Sequence, residues 1–171
     1  MKKMSIKLLR EFIDYDSESG AMIWRKRARK HFKSEHDWKS WNTRFSGKEC
    51  GYINNDGYRI VEVNSVKYYG HRLAFTYYHG RWPKYEIDHI DQTPGHDWIE
   101  NLRDTKENGK NRGKSSRNKS GFCGVSWDSG AKIWMAYVGK QYLGRFEDPE
   151  LAGFVCELTR DKLGYHPNHG K

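Results

Sequence analysis

Asp88 and His89 stand side by side at the end of the apolar-flanked run YEIDHI, a carboxylate next to an imidazole. Hydrolysing a phosphodiester at neutral pH needs a base that makes water hydroxide-like, and a cation that stabilises the charge growing on the phosphate and the leaving oxygen. Further along the chain come Asn101, in IENLR, and Asn108, in KENGKN. One carboxylate and one amide carbonyl, with several positions left to water, suit Mg2+ or Mn2+ better than zinc. An isolated Asp-His dipeptide is most often a surface turn, so the weight rests on the whole segment, residues 85–112.

Adjacent strand residues point to opposite faces, so Asp88 and His89 can act together only where a strand ends or twists into a loop. QTPG, residues 92–95, supplies that loop. The order strand, loop, short strand, helix would bring Asp88, His89 and a helix side chain around one ion. A helix beginning near Asp104 would carry Asn108 and Asn111 on nearly one face. Asn111 lies about 4.5 Å further along the axis, and facing alone does not choose between the two as a ligand. Upstream, SIKLLREFI (Ser5–Ile13) has helical spacing, DYDSESG (Asp14–Gly20) is a turn and Ala21–Arg25 a strand. Gly57–Val63 and Val66–Tyr69 flank Asn64-Ser65 as a β-hairpin, and His71–His79 is a helix stopped by Gly80, with Pro83 barring continuation. Residues 25–45 are dense in charge with neither period, and are expected to form a long basic loop, either solvated or tracking phosphates.

Bulk properties fit a polyanion binder. The 171 residues carry 31 Lys and Arg against 22 Asp and Glu, a net charge of +9, which is the footprint of nucleases but also of ribosomal and membrane-surface proteins. Aromatic residues at 15% supply the buried area that 36% hydrophobic content alone would leave short. No long apolar run and no signal-like N-terminus are read, so a cytoplasmic protein is expected, with no membrane and no obligate protein partner. Cys50, Cys123 and Cys156 form no CxxC pair and are expected to be reduced, structural thiols.

The last third is organised differently. GKSSRNKS has no apolar residue and reads as a basic linker, with Arg103, Lys106, Lys110, Arg112, Lys114, Arg117 and Lys119 placed to lie along phosphates if DNA is the partner. GFCGVSW, AKIWMAYV and QYLGRF are three short strands separated by turn signals. A helix opens at Asp148-Pro149-Glu150 and ends at Gly164.

IDHID, IENLRD and ENGKNR together resemble the HNH endonuclease motif in its variant with Asn as third residue, as in phage and intron-encoded homing endonucleases. The stretch from YDSESGAMIW through DGYRI and HRLAFTYYHGRWP is similar to the usual N-terminal surround of that phage group. The module NKSGFCGVSWDSGAKIWMAYV to YLGRFEDPELAGFVCE resembles the Apetala-type DNA-binding domain. The resemblance implies His89 as general base, Asp88 and Asn108 as metal ligands, and Asn101 as the residue whose amide holds the loop so that His89 meets the water. It also implies Arg103 as a phosphate contact, and a DNA-facing sheet carrying Lys132, Arg145 and one or two of Trp127, Trp134, Tyr137 and Tyr142, the other aromatics being core. The family usually has about two more residues before the helical Asn.

The expected fold is α+β: residues 1–112 as a ββα-metal HNH core with an N-terminal hairpin and helix, a basic linker at 113–119, and 120–171 as a three-stranded sheet with one helix. The expected function is metal-dependent, site-selective hydrolysis of double-stranded DNA, with Mg2+ or Mn2+ as cofactor. The rivals are a non-catalytic DNA-binding regulator on an HNH scaffold and a structural RNA-binding protein of ribosomal type. His71 is expected to be a packing histidine or a phosphate contact, His96 and Asp97 solvated loop residues or else an extension of the metal site, and His166 and His169 part of a frayed tail.

Overall fold

The computed structural model describes residues 3–106 and 108–171, except for the side chains of Asn108 and Gly109. The chain divides into two units, Met1–Lys106 and Glu107–Lys171. This boundary falls ahead of the expected linker.

In the first unit, Ser5 caps α1 (Ile6–Phe12) by accepting from Leu8 N, and α1 passes directly into β1 (Ile13–Tyr15). β1 pairs antiparallel with β2 (Met22–Trp24) across the Asp16–Gly20 turn, whose Asp16 Oδ1 accepts from Glu18 N. The expected basic loop is not a loop. After a 3-10 turn at Arg29–His31 it forms α2 (Glu35–Phe45), capped by Ser34, with Glu35 and Asp37 in the first turn. Trp38, Trp41 and Phe45 recur at helical spacing between the charges.

β3 (Tyr52–Ile53), β4 (Arg59–Val63) and β5 (Val66–Tyr69) make an antiparallel sheet. Asn64 and Ser65 join β4 to β5 with φ of 50° and 62°, the two left-handed residues that a tight hairpin turn with strand-matching twist demands. α3 (Gly70–His79) begins immediately after β5 and stops at Gly80, whose φ of 64° a side chain would disfavour. β6 (Glu86–His89) then pairs antiparallel with β7 (Leu102–Thr105). The core under these elements includes Leu9, Phe12, Ile13, Met22, Val61 and Leu73, each fully buried aliphatic or aromatic chain contributing about 1.5–3 kcal/mol before the entropy of ordering it is subtracted.

The helix expected from Asp104 is absent. Strand pairing runs on through Asp104, opposite Ile87, and Thr105, opposite Glu86. Asp104 uses its carboxylate to take the main-chain N–H groups of Lys84 and Tyr85 at 2.8 and 2.7 Å. Beyond β7 the chain makes a 3-10 turn at Asn108–Asn111.

In the second unit β8 (Val125–Asp128), β9 (Ile133–Val138) and β10 (Gln141–Phe146) form an antiparallel sheet, and α4 (Pro149–Lys162) opens on an Asp148 cap with Pro149 in its first turn. Ala136 and Val138 are buried with Ala152 and Cys156 of α4. The 113–119 segment and the tail belong to this unit: Lys114 N donates to Lys171 O, Gly170 N to Arg112 O and His166 N to Lys110 O. The tail expected to fray is therefore hydrogen-bonded, and His169 Nδ1 accepts from Arg112 N at 3.2 Å. Burial, then the nearby Arg160 charge, holds the His169 imidazole below its ordinary pKa.

Candidate active site

β6 and β7 put Asp88 directly opposite Arg103, and His89 opposite Leu102. Both Nε and Nη2 of Arg103 reach Asp88 Oδ2 at 2.7 Å. Asp88 keeps only 7% of its side-chain surface and Arg103 33%, so the pair is charge-assisted and partly shielded from water.

The strand ends at His89, and the loop beyond it is fastened by Asn101. Asn101 Oδ1 accepts from Asp91 N at 2.9 Å. Its Nδ2 donates to His96 O at 2.8 Å and Asp91 Oδ1 at 2.9 Å, while its carbonyl accepts from Ile90 N. A buried amide has few ways to satisfy all its groups, and this one spans the loop doing so. Burial acts to raise the Asp91 carboxyl, but hydrogen bonds from His96, Thr93 and Asn101 outweigh it and hold that group below the usual carboxylate range.

Asp97, expected in solvent, is buried: it is 2% exposed, and its Oδ1 lies 3.1 Å from His89 Nε2. Three distant pieces of chain hold it. Tyr15 O–H donates to Asp97 O at 2.7 Å, Ile99 N donates to Ser17 O in the β1–β2 turn, and Gly70 leaves room that a Cβ would fill by colliding with Asp97 Oδ2. Oδ2 itself has no hydrogen-bond partner among the described residues. Burial raises the Tyr15 phenol strongly, the Asp97 charge adding to it, so Tyr15 stays a donor.

His71, at the start of α3, is also buried. Its ring stacks on Tyr69 at 5.2 Å and meets His89 edge-on at 5.1 Å. Desolvation pushes it down to about 4, despite the Asp97 carboxylate acting the other way, so it is a neutral imidazole at pH 7. The ligand atoms of His71, His89 and Asp97 lie within 4.8 Å of one another, a set that could hold a metal ion. Two imidazoles and a carboxylate suit zinc or a similar transition ion, whereas Asp88 is the hard donor that Mg2+ prefers.

Sequence reasoning leaves Asp97 between a solvated loop residue and an extension of the metal site, and His71 between a packing histidine and a phosphate contact. The cue available is the placement of HRLA and HDWI on either side of the DHI triplet, but nothing local says that Asp97 turns inward. The side chain of Asn108, the expected second ligand, lies outside the described residues. Asn111 is 4% exposed and sits between Lys110 and Arg112, both of which are hydrogen-bonded to the C-terminal tail.

The expected DNA-contacting cations are spread over both units. Lys106 lies over the Tyr85 ring at 4.7 Å, Lys110 donates to Leu163 O at 3.1 Å and Lys114 to Gly121 O at 3.0 Å. Arg112, Arg117, Lys119, Lys132 and Arg145 are exposed. On the sheet of the second unit, register places Arg145 beside Met135 and Tyr142 beside Tyr137, the face opposite Ala136 and Val138. Trp127 pairs with Trp134 on the α4 side at the sheet edge and is half exposed.

Residues 68–109, which include β6, the loop and β7, match the family model described as HNH endonuclease. Protein 3.8 of Escherichia phage T7 is 41% identical over 93 residues, 51% of this chain and 75% of that protein. No solved structure matches. No helix among the described residues is long and apolar enough to cross a membrane. With three quarters of the phage protein covered at this identity, the chain belongs to its family, and the segment that carries Asp88, His89 and Asn101 is an HNH endonuclease domain.

Proposed function

We propose that this protein is a divalent-metal-dependent, site-selective endonuclease of homing type that hydrolyses phosphodiester bonds of double-stranded DNA inside a bacterial host. The observation that carries the reading is the placement of His89 at the very end of β6, beside Asp88, with the adjoining loop fastened by Asn101.

His89 acts as general base. With its Nε2–H donated to the Asp97 carboxylate, the neutral ring is the tautomer that accepts a proton at Nδ1, and water delivered there loses its proton to it. Asp97 fixes that tautomer and the ring direction, as the third member of a nucleophile–base–orienter arrangement does. Asn101 keeps the loop in place, and Arg103, one-third exposed, contacts a phosphate from its position on Asp88. Asp88 and Asn108 would hold Mg2+ or Mn2+, the buried Asp88 carboxylate supplying the hard oxygen; a bound ion stabilises negative charge on phosphate and leaving oxygen. Lys106, Lys110, Arg112, Lys114, Arg117 and Lys119 follow the DNA backbone. The second unit is an Apetala-type reader whose open sheet face, with Arg145 and Tyr142 and flanked by Lys132, enters the major groove.

One observation favours the rival reading of a non-catalytic DNA-binding regulator: Arg103 already engages Asp88 Oδ2. Supercoiled plasmid incubated with the protein and Mg2+ separates the two. Nicked or linear product that vanishes in excess chelator supports the nuclease; binding without cleavage under any divalent ion supports the regulator, and undiminished cleavage in chelator removes the metal assignment.

A further inference from the structure

Arg27 is 6% exposed, yet it has no carboxylate partner and its guanidinium makes no hydrogen bond among the described residues; its buried Nε is without an acceptor. Its surroundings are aromatic. The guanidinium carbon lies 4.1 Å from the Phe12 ring centroid, 4.0 Å from Trp41 and 4.8 Å from Trp24. The backbone is pinned in place, since Arg27 N donates to Asn42 Oδ1 and Arg27 O accepts from Trp38 Nε1 and Asn42 Nδ2. Burial lowers the guanidinium to about 10.

Ring faces offset part of the cost of taking a cation out of water, about 2 kcal/mol each when desolvated. They leave the in-plane N–H donors unanswered, and a buried unmet donor on a charged group costs more than a neutral one. Arg27 lines a cavity of about 550 Å3, in the size range of small-molecule sites. Trp24, Phe32, Trp41 and Phe45 line it as well, together with Glu62 and Glu49, whose Oε2 already lies 3.7 Å from Arg59 Nη1.

A free anion would meet the arginine but also the Glu62 carboxylate. A flat, neutral ring with acceptors on one edge and N–H donors on another answers both groups and suits an aromatic lining. Among the nucleobases, guanine offers N7 and O6 as paired acceptors for an arginine fork, with N1–H and the exocyclic amine beside them as donors for a carboxylate. We propose that this cavity binds guanine, either as a free nucleotide or as a base unstacked from DNA, with Arg27 on the N7/O6 edge and Glu62 on the amine edge. Unstacked bases are held elsewhere by this combination of aromatic faces and edge hydrogen bonds.

The test uses the full chain in chelator, so that no DNA is cut, with calorimetric titration of GMP, AMP, CMP and inorganic phosphate. GMP should bind at least about fivefold tighter than AMP or CMP, the low end of one bidentate pair. Glu62→Gln, a change at an exposed strand position, should abolish that preference without shifting the melting temperature, and Arg27→Lys should weaken GMP even if its melting temperature falls. Equal affinities for the three nucleotides, phosphate binding as tightly as GMP, an unaffected Glu62→Gln, or no binding would each overturn the proposal. Duplexes with a single bulged G or bulged A separate the sources. A Glu62-dependent advantage for bulged G assigns the site to DNA, and a GMP preference with no such advantage assigns it to the nucleotide.

Discussion

At the scale of single residues, the candidate site has beside His89 one acid that short-range pattern cannot reveal. The positions of Asp88, His89 and Asn101 at or beside strand ends are legible, because the local spacing of their segment already implies a loop between two strands. Asp97 lies in the same segment, but its burial is decided by Tyr15, Ser17 and Gly70, none of which the segment contains. Asp97→Asn should therefore lower kcat by roughly 10²-fold or more, as when an orienting carboxylate is replaced by an amide that sets the wrong tautomer, with little change in DNA affinity; an unchanged kcat would mean that Asp97 is structural only. His89→Ala should cost about 10² to 10⁴ in rate, read in the plasmid assay against binding by gel shift. His71 contributes through pH. Folding lowers its pKa from 6.5 to about 4, so between those values the unfolded chain binds the extra proton. Its effect is nil above about pH 6.5, and stability falls as pH drops from there toward 4, by up to about 3 kcal/mol. Urea midpoints at pH 7, 5 and 4 should show this, and His71→Gln should flatten the slope.

At the scale of elements, the hairpin and α3 are where pattern puts them, because each has its own punctuation in Asn64-Ser65 and Gly80. α2 is hidden among charges: its polar face carries Lys39, Arg44 and Glu35, and only Trp38, Trp41 and Phe45 keep the period. The helix expected at Asp104 fails for a different reason. A strand partner, β6, and two main-chain donors to Asp104 outweigh local helical spacing, and neither competitor is visible in residues 104–111 alone. α3 begins against the Asp97 carboxylate, so Gly70→Ala drives a methyl into Asp97 Oδ2 and Arg59 Cβ. It should destabilise the unit by about 1–3 kcal/mol, the usual cost of overpacking, and lower cleavage beyond what the lost folded fraction explains. A variant that melts earlier but cleaves normally once folded would disconnect α3 from the site.

At the scale of the whole molecule, the structure divides between Lys106 and Glu107, whereas the sequence reading sets its border at the basic linker after residue 112. GKSSRNKS looks like a tether because it lacks apolar residues, yet backbone hydrogen bonds from residues 110–114 to residues 166–171 make it part of the second unit. Exposed Lys132 and Arg145 test whether that unit grips DNA. Changing both to Ala should reduce the slope of log affinity against log salt by about 2, one released counterion per lost phosphate contact, while leaving the chemical step at saturating DNA unchanged; an unaltered slope would place DNA elsewhere. The grip of Tyr15 on Asp97 has a further consequence, in time rather than space. The hairpin that carries Tyr15 is made first, but the loop it braces emerges some eighty residues later, and contacts so far apart in sequence close late in folding. A chain still on the ribosome, even one already displaying Asp88 and His89, therefore has no Asp97 held against His89, and on the proposed reading it would cut DNA only after its first unit is complete.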